Sequence, residues 1–266
     1  MKKYCIVIPV YHLHPTNTEI ISFQSLAKNC DKTVDVYIVH PNNFNNDNIK
    51  SYEDIFIKDG CNNINDISFN KKYFESMTTY SDLMKSYDFY NRFKDYKYIL
   101  IFQGDCWAMP NMGKNIIQWL NADYDYVGAP IIGNTIHWTV PACGNGGLSL
   151  RKVSKFLEIT KRDDIKTKLE SEDNKYKKYE DVYFCEGVTK YIYMDMPTWD
   201  ECAIFSWDMN PDVLDYKGFS HPMIGIHGWL KNIPYWENIL DIPDNIIKEA
   251  YETEKSFIQA YYHQNV

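Results

Sequence analysis

The chain has 266 residues, 45 % of them apolar and 24 % charged, with a formal charge of −8. Such a chain buries a sizeable core without staples, and its negative balance argues against nucleic acid as the main partner. Its seven cysteines are scattered, with no Cys-x-x-Cys pair, which disfavours a disulfide framework or a structural zinc site and fits a reducing, cytoplasmic setting.

YCIVIPV (4–10) reads as a buried first strand ending at Pro9, a residue that belongs at strand edges. It is too short for a signal peptide or a membrane span, and no later stretch approaches 18 uncharged apolar residues. A spanning helix is therefore not expected, and peripheral contact with a membrane stays open. A His-bearing loop, YHLHPTN, follows. Thr16 and Glu19 then have the spacing of a capping box, with Ile20, Phe23 and Ala27 on one helical face behind them. TVDVYIVH (33–40) gives a second strand, PNNFNNDN an Asn-rich loop, and EDIFIKD (53–59) a short third strand.

Residues 71–94 predict a helix, with Leu83, Tyr87, Tyr90 and Phe93 at helical spacing. YILIF (98–102) predicts a fourth strand buried on both faces. NMGKNIIQWLN is a helix, and YDYVGAP a strand running into a turn. Alternating strand and helix implies a mostly parallel sheet with helices on both faces. In such sheets ligands bind beyond the carboxyl ends of the strands. Asp105, ending the fourth strand, is thus placed to meet a ligand or metal, the bland alternative being a cap on the helix near Asn111.

The second half is less regular. GNGGLSLR (144–151) is a glycine turn entering a strand. Residues 151–178, rich in mixed charge, read as a solvated helical region. YEDVYFCEGVTKY (179–191) predicts a helix with acids in its first turn. FSHPMIGIHGW (219–229) is a loop between short strands, and residues 243–262 form an amphipathic terminal helix. Neither Cys106 nor Cys143 sits in a thiol-hydrolase signature. The tryptophans at 107, 138, 199, 207, 229 and 236 are better suited to core packing than to sugar stacking.

An acid ending a central strand, a glycine turn before a small strand, and an acidic pair opening a helix occur here in that order. On these motifs, and on IVIPVYH, FESMTTYSDLMKSYDFYNRFKDYKYILIFQGDCW, YDYVGAP and GIHGW, the chain resembles the GT-A fold glycosyltransferases. More narrowly it resembles a little-characterised glycosyltransferase family of bacteria and large viruses. GNGGLSLR and EDVYFC are also similar to a motif pair of the β-1,3-galactosyltransferases.

The resemblance implies one GT-A-like domain over 1–266, with a nucleotide-binding half (1–105) and a donor-sugar and acceptor half (106–266). It implies a nucleotide-sugar donor, with UDP expected, and a glycan or glycoconjugate acceptor. Mn²⁺ or Mg²⁺ would be held by Asp105, the last residue of the DxD-like Gln103-Gly104-Asp105, with His227 completing the shell. Gln103 replaces the first acid of that motif and removes one ligand. Pro9, Tyr11, Gln103, Asn145, Gly146 and Gly147 would border the donor, and the nucleotide base would lie near His12 and His14, which by themselves read rather as exposed loop histidines. By similarity Asp181 is the general base of an inverting transfer and Glu180 its neighbour in orientation. Two readings compete: His227 as a turn histidine, with His221 as a weaker candidate, and Glu180 and Asp181 as helix-dipole acids. Arg151 reads as an ion-pair partner. A non-catalytic nucleotide- or carbohydrate-binding protein is the alternative function. A nucleotidyltransferase would need a glycine-rich basic loop after the first strand, which PVYHLHPTN lacks.

Overall fold

The structure is a computed structural model and describes residues 2–132, 143–208 and 210–252. The terminal-helix prediction lies partly outside these residues, and Trp138 wholly so. Residues 244–252 are helical.

A six-stranded sheet has the order β3-β2-β1-β4-β7-β6. Its strands are β1 (Lys2–Pro9), β2 (Asp35–Pro41), β3 (Ile64–Phe69), β4 (Tyr96–Phe102), β6 (Tyr126–Val127) and β7 (Leu148–Lys152). Strands β1 to β4 run parallel, while β7 is antiparallel to β4 and β6 to β7. A second sheet has the order β5-β9-β8, from β5 (Cys106–Ala108), β8 (Ser206–Trp207) and β9 (Gly225–His227). This is the mostly parallel α/β architecture with a smaller mixed part that the alternation predicts.

Both faces of the large sheet are covered. Val7, Ile99 and Ile101 pack into one apolar cluster, and Ile6, Ile8, Leu100 and Phe102 into another on the opposite face. That two-sided burial is why β1 and β4 read as continuous apolar runs rather than alternating ones. A third cluster holds Trp207, Trp229 and Trp236 around the small sheet, so these tryptophans are core.

Helix α1 (Asn17–Asn29) starts at the expected capping box. Thr16 Oγ1 accepts from the Glu19 N–H at 3.2 Å and the Glu19 carboxylate accepts from the Thr16 N–H at 2.8 Å. The third strand is a correction. EDIFIKD lies inside helix α2 (Asn46–Lys58), and β3 comes after it. Ile55 and Ile57 alternate like a strand, but Asn45 and Asn48 cap each other reciprocally at 2.9 and 3.0 Å. Asn48, Tyr52, Ile55 and Phe56 then bury one helical face and leave Ile57 outside. The loop asparagines are the cap.

Residues 71–94 are likewise not one helix. A 3-10 turn (Lys71–Phe74) precedes α3 (Met77–Met84) and α4 (Tyr87–Asn91). Ser76 and Ser86 each accept from a backbone N–H three residues ahead, so each starts a new helix. Helix α5 (Met112–Ala122) follows β5, and α6 (Val153–Ile159), α7 (Asp163–Glu172) and α8 (Asn174–Lys178) fill the charged region after β7. The predicted helix at 179–191 is α9 (Glu180–Val182), then a wide π turn (Tyr183–Gly187) and a 3-10 turn (Val188–Lys190).

Candidate functional site

Strand pairing builds the site. Because β7 runs antiparallel to β4, Phe102 pairs with Leu148. The turn ahead of β7 therefore lies beside the residues that follow β4, and the Gln103 N–H donates to the Gly147 carbonyl at 3.0 Å. Beyond that point the chain enters the second sheet, where Cys106 pairs with His227. The N–H groups of Gly228 and Trp229 both donate to the Asp105 carbonyl, at 2.9 and 3.3 Å. Three segments far apart in sequence thus meet at the carboxyl end of the central strand.

They line one cavity of about 390 Å³, walled by Gln103, Asp105, Asn145, Gly146, Gly147, Glu180, Asp181 and His227. That volume falls within the usual range for small-molecule sites. Asp208 and Lys231 also line it, as do Met77, Tyr80 and Tyr179. Sequence reasoning missed Asp208 and Lys231. Asp208 follows a two-residue strand and carries no motif. Lys231 stands three residues after Gly228, a cation beside a glycine turn that offered a weak signal. Pro9 and Tyr11 do not line the cavity: Pro9 is buried in β1, and Tyr11 is 59 % exposed with its ring 4.2 Å from that of His12. His12 is paired with Glu19 at 3.1 Å, and His221 packs beside Trp207 and Trp236.

His227 is buried, with its two ring nitrogens facing different carboxylates. Nε2 is 3.3 Å from Asp105 Oδ1, and Nδ1 is 3.2 Å from Asp208 Oδ1. Burial opposes charge on the ring, but Asp105 and then Asp208 outweigh it and hold the imidazole up at about 10. Burial would likewise raise Asp105, yet His227 and Lys231 hold its carboxyl well below the usual range. Gly147 has a steric reason to be glycine, since a Cβ there would collide with the His227 ring. Gly147→Ala is expected to push that ring off Asp105 and to weaken ligand-linked stabilisation. A nucleoside diphosphate and Mn²⁺ thermal-shift titration checks this, and an unchanged shift contradicts it.

The same turn also meets the paired acids through Gly146. Asp181 receives the N–H groups of Val182 at 2.8 Å and of Gly146 at 3.3 Å. Burial first, and the neighbouring Glu180 second, push its carboxyl up to about 7. Glu180 turns away to Arg151, whose fully buried guanidinium also donates to the Gly146 carbonyl, Ser149 and Tyr90. Arg151 is thus the ion-pair partner expected of it. The two acids have split environments, one salt-bridged and one left to carry or release a proton near neutrality, which is how general bases are set apart. Gln103 donates to the Tyr80 hydroxyl at 3.2 Å.

Among the described residues no three His, Cys, Asp or Glu side chains form a ready metal cage. The donor set fits a different kind of site. Two ligands on one hard cation, each about 2.1–2.3 Å away and at right angles, stand about 3 Å apart, close to the Asp105–His227 spacing of 3.3 Å. Such a cation takes its remaining ligands from substrate phosphates and water.

Among solved structures, the chain is similar to an active-site mutant of LgtC, with 15 % identity and a TM-score of 0.55, covering 84 % of this chain and 86 % of that one. It is similar to mouse xyloside xylosyltransferase 1, with 11 % identity and a TM-score of 0.54 over 85 % of this chain and 97 % of that one. The glycosyltransferase GlyE of Streptococcus pneumoniae matches with 11 % identity and a TM-score of 0.54, over 100 % of this chain and 64 % of that one. These likenesses establish the GT-A type of fold. No curated protein matches the sequence. A family model matches residues 63–227, a stretch that holds Asp105, Asn145, Asp181 and Asp208 and ends on His227. By that match, which spans more than half its length, the chain belongs to the family described as protein of unknown function (DUF5672).

Proposed function

We propose that this protein is a glycosyltransferase that moves a sugar from a nucleotide-sugar donor, with UDP as the nucleotide, to a hydroxyl of a glycan or glycoconjugate, with inversion. The observation that carries the reading is the convergence on one cavity, around the Asn145–Gly147 turn, of Asp105, His227 and Lys231 with Asp181. A displacement with a charged leaving group needs these two poles: cationic or metal-holding groups for the leaving diphosphate, and a base for the incoming hydroxyl.

Asp105 and His227 would hold Mn²⁺ or Mg²⁺, which supplies charge neutralisation to the diphosphate when bound. Lys231, whose ammonium is held charged by Asp208 and Asp105 against burial, pairs with phosphate oxygens. The glycine turn lets the donor sugar lie against the backbone. Asp181 takes the proton of the acceptor hydroxyl as that oxygen bonds to the anomeric carbon and the bond to the diphosphate oxygen breaks. Tyr80, Tyr179 and Met77 also line the cavity and would border the acceptor. The shared fold of LgtC and GlyE supports the reading.

A thermal-shift panel of nucleoside diphosphates with and without Mn²⁺ tests it, because a ligand that binds only the folded state raises the melting temperature. UDP with Mn²⁺ is expected to give the largest rise, and no rise with any nucleotide refutes the reading. One observation favours a non-catalytic binding protein instead: Gln103, in the place of the first acid, spends its amide on Tyr80. UDP binding with no UDP released from UDP-sugars under any divalent metal would decide for that alternative.

A further inference from the structure

Asp208 is buried, only 7 % exposed, and its two carboxylate oxygens face two different parts of the cavity. Oδ2 accepts from the Asn145 side-chain amide at 2.9 Å. Oδ1 stands 3.2 Å from His227 Nδ1, and neither of these two atoms has an aligned hydrogen-bonding partner. Asn145 in turn uses its Oδ1 to accept the Gly147 N–H at 3.0 Å. A chain of contacts therefore runs from the His227 ring through Asp208 and Asn145 to the glycine turn.

We infer that Asp208 is a positioning residue that orients His227 toward a divalent cation through Nδ1 and fixes the Asn145 amide at the sugar turn through its other oxygen. The inference rests on the metal-assisted reading above. Asp208 does not join Asp105 in the cation's own shell, because it faces the opposite nitrogen of the ring. A carboxylate accepting from Nδ1–H leaves the Nε2 lone pair directed at the ion, and it locks ring rotation. Nδ1 and Oδ1 already stand within hydrogen-bonding distance of each other, at 3.2 Å. The second contact sets the amide: with Nδ2 on Asp208, the Asn145 oxygen is committed to Gly147. A single buried acid thus ties the cation side of the cavity to its sugar side.

The test is Mn²⁺ titration of the full chain with UDP saturating, followed by the paramagnetic signal of free Mn²⁺. Asp208→Ala is expected to bind Mn²⁺ about 10–100-fold more weakly than wild type. Asp208→Asn keeps an oxygen acceptor for Nδ1–H and is expected to recover most of that affinity. Equal Mn²⁺ binding by wild type and Asp208→Ala overturns the inference alone, and so do equal losses in Asp208→Ala and Asp208→Asn. A wild type that binds no Mn²⁺ overturns the metal reading, and this inference with it. If Asp208→Ala does not fold, the ¹⁵N shifts of His227 in the Mg²⁺- and UDP-loaded wild type give the same answer. A proton on Nδ1 supports the inference, and a proton on Nε2 overturns it.

Discussion

Asp181→Asn will lower sugar transfer by about 10²–10⁴-fold, the usual worth of a positioned base, while UDP affinity stays near that of wild type. The separation follows from their different contacts, since Asp181 receives the Gly146 N–H whereas Asp105 pairs with His227. It carries a pH signature. With burial and Glu180 holding the carboxyl at about 7, the base is protonated and idle in acid. The rate should climb with pH up to about 7 and then level.

Stability moves the other way. The native carboxyl keeps its proton over a range in which the unfolded chain, at an ordinary Asp value of about 4, has released it. This contribution is therefore full below about pH 4 and is lost as pH rises through about 7. Asn carries no charge to bury, so the variant should melt above wild type at pH 8. Transfer that is independent of pH between about 5 and 8, or an active Asp181→Asn, removes Asp181 from the mechanism.

Asp105→Asn is expected to fail differently. On the proposed metal site it would strip the negative ligand from the cation and leave His227 beside an amide, so Mn²⁺ and UDP affinities should both fall, by at least about tenfold, and transfer should fall with them. Calorimetric titration of UDP with and without Mn²⁺ checks this. If Asp105→Asn binds both as wild type does, or if it and Asp181→Asn give the same kinetic pattern, the assignment of poles is wrong.

The sheet was legible because β1 and β4 are buried on both faces, so apolar runs marked them directly. The α1 capping box was equally plain from Thr16 and Glu19. EDIFIKD deceived because two isoleucines at i and i+2 look like a strand, whereas the helix is fixed by Asn45 and Asn48, whose capping role depends on the register that follows them. Asp105, the Asn145–Gly147 turn and the Glu180–Asp181 pair were visible because each ends or opens an element. Their meeting in one cavity was not, since it comes from two sheet pairings, β4 with β7 and β5 with β9, between segments distant in sequence. Asp208 had no local mark at all: it stands beside His227 only because β8 lies parallel to β9.

The seam between the two sheets is sewn by main chain. The Gln103 N–H donates to the Gly147 carbonyl and the Gln103 carbonyl accepts from the Cys106 N–H, while the Asp105 carbonyl accepts from the N–H groups of Gly228 and Trp229. None of these bonds depends on which side chain stands at 103 or 105. The seam therefore holds whichever side chains stand there, whereas the ion pair of Asp105 with His227 and the bond of Gln103 to Tyr80 are what a substitution at these two positions would remove.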